Sequence, residues 1–286
     1  MSVPKRSVLI TGCSTGGMGS ELAKAFHKTG YHVYATARNL SKMEDLSALG
    51  IQTLQLDVTS DESIRACVKS LDSLDVLINN AGANQLMPVV DFPITEAKRL
   101  FDLNVWSQVA MIQAFTPLLL RSSNAMIVNH TSSAAVTTIP YSGVYAASKA
   151  AFSMMSDTLR LELQPFNIKV VDLRTAMVAT NIFENQKSAT PTSLPSGSIY
   201  EPARSVVDKS LRGETLEAGS KPMSAELWAQ QVVRDLTKTT PPAIIWRGDN
   251  AWLVRLATVL PHGLFDGLIK KMTGFDQAEK ILRAAV

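Results

Sequence analysis

The chain has 286 residues, 46% of them hydrophobic and 19% charged, with a formal net charge of +3. That length carries one large α/β domain with a substantial core. The small charge, without a compact Lys/Arg cluster, sets nucleic acid aside as a partner. Two cysteines, Cys13 and Cys67, lie in unrelated contexts and suggest neither a disulfide framework nor a zinc site, so no metal is expected and an intracellular, reducing compartment fits. The opening MSVPKRSVLITG has no apolar region followed by a cleavage site, so no signal peptide is expected. No uninterrupted apolar run reaches the roughly 18 residues of a membrane span.

In chain order, residues 7–10, 32–35, 53–56, 76–78, 125–129 and 169–173 read as buried strands. Helical patterns over 20–29, 40–49, 61–70, 96–119 and 146–163 fall between them. A βαβα series with nearly continuous apolar strands implies a doubly wound parallel α/β sheet with helices on both faces. In such sheets ligands bind beyond the carboxyl ends of the strands. Residues 181–222 are rich in Ser, Thr, Pro and Gly, with one helix expected around 199–211, and read as a substrate lid. Residues 224–286 read as a helical extension, with apolar spacing at Trp252, Leu256, Val259, Leu260, Leu264, Leu268 and Met272. The whole of 1–286 is expected to form a single domain.

The run TGCSTGGMGSELA, residues 11–23, places Gly12, Gly16, Gly17 and Gly19 between the first strand and the first helix. Strand, glycine loop and helix in that order present backbone N–H groups and a helix N-terminus to a pyrophosphate. A plain β–α turn is the alternative, and the loop alone specifies neither nucleotide nor chemistry.

Further motifs then form a set. Thr11-Gly12 with Gly16, Gly17 and Gly19 resembles the TGxxxGxG loop of the short-chain dehydrogenases/reductases. Asn79-Asn80-Ala81-Gly82 matches that family's NNAG, and Tyr145-Ala146-Ala147-Ser148-Lys149 its YxxxK. Asp57, Asn104 and Ser132 fall where the family places its remaining functional residues, and the resemblance extends to about residue 180. It implies a Rossmann-type sheet of about seven strands. Gly17-Met18-Gly19 best meets the end of the loop pattern, which leaves one extra residue after Gly12. The fungal 1-acyldihydroxyacetone-phosphate reductase-like branch has a similar loop, and "YATAR", "YSGVYAASKAA" and "PPAIIWRG" also resemble it. The extra residue therefore reads as a lengthened phosphate loop.

The resemblance implies NADP(H) bound along Gly12, Ser14, Thr15, Gly17, Met18 and Gly19, then Arg38, Asp57, Val58, Asn80, Ala81 and Gly82. Tyr145, Lys149, Val178 and Thr180 complete the expected cofactor site. No acid lies between Tyr31 and Asn39 to select a ribose 2′-hydroxyl; Arg38 would instead pair with a 2′-phosphate, the alternative being a solvated surface arginine. Asp57 would accept from the adenine amine, or else cap the helix that begins at Asp61.

Ser132, Tyr145, Lys149 and Asn104 are the expected catalytic set. Tyr145 and Lys149 are spaced to share one helix face. In the reaction the family implies, hydride passes from the nicotinamide to a carbonyl carbon while Tyr145 protonates the oxygen. Ser132 would hydrogen-bond that oxygen. Lys149 would hold the ribose and, with the nicotinamide charge, lower the Tyr145 pKa. Asn104 would hold a water linking Lys149 to solvent.

One stretch departs from the pattern. The family has Pro-Gly after the sixth strand, with a Thr five residues beyond the Pro; here Thr175-Ala176 replaces Pro-Gly, although Thr180 keeps its place. The missing proline and glycine lead us to expect an altered turn path at the nicotinamide end.

The expected substrate is a small apolar ketone or its alcohol, against Met87, Val136, Ile139, Tyr141, Met177, Ile182 and Phe183. An acyl-dihydroxyacetone phosphate would add a phosphate for Lys187, Arg204, Lys209 or Arg212, whereas a secondary-metabolite ketone would not. Three function classes fit the sequence: an NADPH-dependent carbonyl reductase, an NADP-binding isomerase, dehydratase or cyclase, and a non-catalytic nucleotide sensor. The stretch NAWLVRLATVLPHGLFDGLIKKM is amphipathic, and with Arg255, Lys270 and Lys271 it suits a membrane interface, a pocket cover or a dimer surface. The expected location is the cytoplasm or the surface of an internal membrane or lipid droplet. The family implies a homodimer or homotetramer through the helices carrying Asn104 and Tyr145.

Overall fold

The computed structural model describes residues 5–180, 192–215 and 222–285. Its elements in chain order are β1 (Ser7–Thr11), α1 (Met18–Lys28), β2 (His32–Ala37), α2 (Glu44–Ala48), β3 (Gln52–Gln55), α3 (Asp61–Lys69) and β4 (Val76–Asn79). Next come α4 (Ile94–Phe101), α5 (Ser107–Leu119), β5 (Met126–His130), α6 (Gly143–Glu162), β6 (Lys169–Thr175) and β7 (Val178–Ala179). The remainder is α7 (Arg204–Leu211), β8 (Met223–Ser224), α8 (Ala225–Leu236), β9 (Ile244–Arg247), α9 (Ala251–Ala257), α10 (Asp266–Met272) and α11 (Phe275–Ala284).

Seven strands pair in parallel in the order β3-β2-β1-β4-β5-β6-β9. Alternate side chains leave opposite faces of each strand, so both faces need cover. Val8 and Ile10 pack under α1 and α8 with Leu22, Phe26 and Trp228, while Leu9 and Leu77 pack under α3, α5 and α6 with Ile64, Phe115 and Phe152. The strand order reverses between β1 and β4, so the glycine loop after β1 and the Asn-Asn-Ala-Gly loop after β4 emerge side by side.

Three local departures have physical causes. The helix expected over 96–119 is interrupted by a π-helical turn at Asp102–Trp106, which places Asn104 at the centre of the bulge. The helix expected over 40–49 begins as a 3₁₀ turn, Leu40–Met43, because Asn39 accepts from the Ser41 backbone N–H. The edge strand β9 was not among the expected strands; its signal is the β-branched and aromatic run Ile244-Ile245-Trp246 behind Pro241-Pro242.

The expected lid falls partly outside the described residues, at 181–191 and 216–221. Its two ends are joined, because β7 pairs in parallel with β8. The expected helix is present as a 3₁₀ turn, Glu201–Ala203, followed by α7. Ala203, Val207 and Leu211 are buried in a third apolar cluster that also holds Tyr141, Leu194 and Ala278 of α11, with Phe275 packed against it.

Candidate active site

The glycine loop is shaped by what lies against it. Gly12 has φ +73°, and a Cβ there would lie 2.9 Å from Ala81 Cα. A Cβ on Gly19 would lie 2.5 Å from the Gly12 carbonyl oxygen and 2.6 Å from Asn80 Nδ2. The glycines thus let the first and fourth strand loops interlock. Gly17 is the N-cap of α1 and offers no capping side chain, so the helix turns unassisted first-turn N–H groups outward. This cradle fits a pyrophosphate, through the backbone charge at a helix N-terminus.

The other proposed cofactor residues divide by environment. Ser14 closes a turn by accepting from the Gly17 N–H at 3.1 Å. The Thr15 hydroxyl is engaged elsewhere, on the Lys42 carbonyl at 2.8 Å and Asp45 at 2.7 Å. Met18 is partly buried against the core. Arg38 is exposed at the end of β2, and its guanidinium makes no hydrogen bond among the described residues. Asp57 does not cap α3; Ser60 does, and Asp57 instead holds the Thr59 N–H and hydroxyl at 2.9 and 2.7 Å. Those bonds, with a smaller contribution from Arg38 against the cost of burial, hold its carboxyl below the usual range. Val58 is buried beside it, while Val178 and Thr180 lie at β7 and just beyond.

At the carboxyl end of β5, Ser132 lies near enough to Tyr145 to favour its phenolate. Burial raises the Tyr145 pKa, and the nearby Ser132 only partly opposes it. The lowering expected from Lys149 relies also on the nicotinamide charge; in the protein alone its Nζ sits 6.0 Å from the Tyr145 ring centre and donates to the His130 carbonyl at 2.9 Å. Desolvation is the largest influence, so the phenol is held in its proton-bearing form. Burial pushes Lys149 down to about 8, with Asp172 opposing the shift. Asp172 is itself buried among Thr131, Ser153 and Arg174.

Asn104 is buried and spans Ala83. Its Oδ1 accepts from the Ala83 N–H at 3.0 Å, and its Nδ2 donates to the Ala83 carbonyl at 2.9 Å and to Ser148 Oγ at 3.0 Å. A Cβ on Gly82 would approach Asn104 Oδ1 to 3.1 Å and Lys149 Nζ to 3.5 Å, so these three residues meet at one point. Thr11, Gln108, Ser148 and His130 complete the scaffold and were not among the expected site residues. Thr11 Oγ1 accepts from the Asn80 and Ala81 N–H groups, and Gln108 donates to the Ala81 carbonyl. A histidine closing an otherwise apolar strand, in "IVNHTSS", was the available signal for His130.

The turn at 175–180 is better anchored than its sequence suggested. Thr175 remains paired within β6, and the Ala176 N–H donates to the Arg247 carbonyl at 2.8 Å. The Thr175 hydroxyl lies 2.6 Å from His130 Nε2. Among the expected wall residues, Met87 and Tyr141 are buried in the third cluster; Val136 is exposed, and Ile139 and Met177 are intermediate. Ile182, Phe183 and Lys187 lie outside the described residues. Two of the expected phosphate-binding cations are already paired, Arg204 with Glu201 and Asp208, and Arg212 with Glu214. Lys209 is exposed.

Residues 6–191 match the short chain dehydrogenase family. A short-chain dehydrogenase/reductase of Pestalotiopsis microspora is 51% identical over 281 residues, covering 98% of both chains. An NADPH-dependent 1-acyldihydroxyacetone phosphate reductase of Schizosaccharomyces pombe is 35% identical over 272 residues, covering 91% of this chain and 92% of its own. Among solved structures, a short-chain dehydrogenase from Streptomyces avermitilis superposes with a TM-score of 0.75 at 25% identity, covering 98% of each chain.

Proposed function

The chain belongs to the short-chain dehydrogenase/reductase family, and from that premise we propose that it is an NADPH-dependent reductase of a ketone on an apolar substrate. The observation that carries the reading is the gathering of Ser132, Tyr145 and Lys149 at the carboxyl end of β5, with Ser132 near enough to act on a phenol that burial holds protonated and Lys149 Nζ 6.0 Å from its ring centre. NADP(H) supplies the hydride when bound. Gly12, Ser14, Thr15, Gly17, Met18 and Gly19 would hold the pyrophosphate end, and Arg38, Asp57 and Val58 the 2′-phosphoadenosine. Asn80, Ala81 and Gly82 support the middle, with Lys149 on the ribose and Val178 and Thr180 at the nicotinamide. Tyr145 donates its proton to the carbonyl oxygen, Ser132 orients that oxygen, and Asn104 holds the Ala83 backbone beside Lys149. An exposed Arg38 without an ion-pair partner among the described residues supports the choice of NADPH, as does the name of the Schizosaccharomyces pombe relative.

The pairing of Arg204 and Arg212 with acids favours a ketone without a phosphate over an acyl-dihydroxyacetone phosphate. Residues 181–222 act as the lid of a single domain, tied at its base by β7 and β8. Exposed Trp106, Met154 and Leu161, on the segments that carry Asn104 and Tyr145, support a homo-oligomer through those helices. Exposed apolar residues of α9 and α10, with Arg255 and Lys271, support peripheral contact with an internal membrane or lipid droplet; Lys270 is paired with Glu279. Among the described residues, no helix is long and apolar enough to cross a membrane.

The test is stoichiometric: purified protein is given a panel of apolar ketones and NADPH carrying deuterium at the transferable position. We expect one label in each product molecule and one NADPH oxidised. Tyr145→Phe should still bind NADPH but lose on the order of a hundredfold or more in turnover. Unlabelled product formed without NADPH loss would instead establish a non-redox isomerisation, dehydration or cyclisation on this scaffold.

A further inference from the structure

We propose that His130 and Thr175 are positioning residues that tie the nicotinamide end of the site to the glycine loop through one hydrogen-bonded chain. The inference rests on the NADP(H) reading above and names the part of the protein that holds the 175–180 turn in place.

The chain can be followed atom by atom. Asn80 Nδ2 donates to the Thr11 carbonyl at 2.7 Å and to the Gly12 carbonyl at 3.2 Å. Two carbonyl acceptors require the amide nitrogen on that side, so Asn80 Oδ1 faces His130 Nδ1, 2.9 Å away. An oxygen acceptor there requires a proton on Nδ1. A neutral imidazole then has a bare Nε2, which accepts from the Thr175 hydroxyl at 2.6 Å. Burial and the neighbouring Lys149 charge hold His130 neutral, with a pKa lowered to about 3. The ring is buried and stacked on Trp228, with centroids 5.3 Å apart and planes 21° from parallel, so it cannot swing away without disturbing the core.

Both ends of this chain reach residues of the proposed site. The Thr175 carbonyl accepts from Ser132 Oγ at 3.5 Å, and the His130 carbonyl accepts from Lys149 Nζ at 2.9 Å. Thr175 leads directly into Val178 and Thr180, while Gly12 opens the pyrophosphate cradle. Proline would limit this turn through its fixed φ; here a side-chain hydrogen bond between adjacent strands supplies the constraint. Thr175 and His130 touch no reacting atom and act through the turn, Ser132 and Lys149.

The experiment compares two ligands on the full chain: NADPH, which reaches the nicotinamide end, and adenosine 2′,5′-bisphosphate, which stops at the adenosine end. Thr175→Val keeps shape and removes the donor. It should weaken NADPH about five- to tenfold, because a buried acceptor on His130 is left unanswered. Adenosine 2′,5′-bisphosphate should bind within about twofold of the unaltered protein, and Thr175→Ser should restore NADPH affinity. Unchanged NADPH affinity in Thr175→Val overturns the inference and leaves the cofactor reading intact. Equal loss of both ligands also overturns it, since that is general damage to the fold. An unaltered chain that binds neither NADPH nor NADH overturns the cofactor reading, and this inference with it.

Discussion

At the carboxyl edge of the sheet, His130, Asn80, Asn104 and Lys149 are polar groups held by neighbouring strands and loops, through bonds of 2.7–3.2 Å. At the other end of the chain, α9, α10 and the turn between them leave Trp252, Val259, Leu264 and Leu268 in contact with solvent. The first region spends hydrogen bonds to bring polar atoms into a low-dielectric site, where each one is stronger and an unanswered one is costly. The second leaves apolar area uncovered, which marks a surface made to meet something else. The two regions should therefore respond differently to substitution: the edge of the sheet through geometry and charge, the C-terminal helices through association.

The largest effect on nucleotide binding is expected at Arg38. Its guanidinium is exposed and has no ion pair among the described residues, so removing it costs the fold little. Loss of a charge-assisted phosphate contact costs about 1.5–3 kcal/mol, or about tenfold to a hundredfold in affinity. Arg38→Ala should weaken NADPH by that factor and leave NADH nearly unchanged, as read by titrating each nucleotide. Equal NADPH affinity in the two proteins would remove Arg38 from the 2′-phosphate site.

What the sequence made readable follows from which interactions are local. The alternation of strands and helices, the glycine loop between the first strand and the first helix and the placing of Tyr145 and Lys149 on one helix rest on short spacings, and all are present. The π-helical turn at Asn104 was hidden because a continuous helical pattern does not reveal one extra residue in a turn. Thr175 read as a lost proline, since its partner His130 lies on the neighbouring strand and 45 positions away. Composition left open whether Met87 and Tyr141 line a pocket or pack in a core; they are buried in the third cluster with residues of α7 and α11. In the C-terminal helices the periodicity located the helices but not which face would be covered.

An acid titration of stability probes the buried polar edge next. His130 has its pKa lowered in the fold to about 3, against an ordinary value of 6.5. The unfolded chain therefore binds a proton that the folded chain refuses between those values. Stability contributed this way is full above about pH 6.5 and is lost as pH falls toward 3. One such group gives a slope of about 1.4 kcal/mol per pH unit once the unfolded histidine is mostly charged. Urea unfolding between pH 6.5 and 5 should approach this slope at the acid end of that range, where His130→Phe, which retains an aromatic ring on Trp228, should be less steep by nearly one proton. Equal slopes in the two proteins would show that His130 takes up its proton in the folded state.

The smallest effect on folding, and the sharpest contrast, is expected in the C-terminal helices. Trp252 is 69% exposed and Leu268 47% exposed, so their replacement by serine removes little buried area. Surface changes of this kind lie within about 0.5 kcal/mol, and the unfolding midpoint of Trp252→Ser/Leu268→Ser should stay close to that of the unaltered chain. Binding to vesicles rich in anionic phospholipid is where the pair should matter. On the proposed membrane contact, exposed Arg255 and Lys271 would supply the headgroup attraction, while Trp252 and Leu268 would supply apolar area to enter the interface. Co-sedimentation with such vesicles should therefore fall in the double variant while NADPH affinity stays unchanged. A stability loss above about 2 kcal/mol would instead show these side chains buried in an assembly of the chain with itself, since large losses need buried contacts. Unchanged sedimentation with unchanged stability would remove the membrane reading and leave the exposed apolar face to another partner.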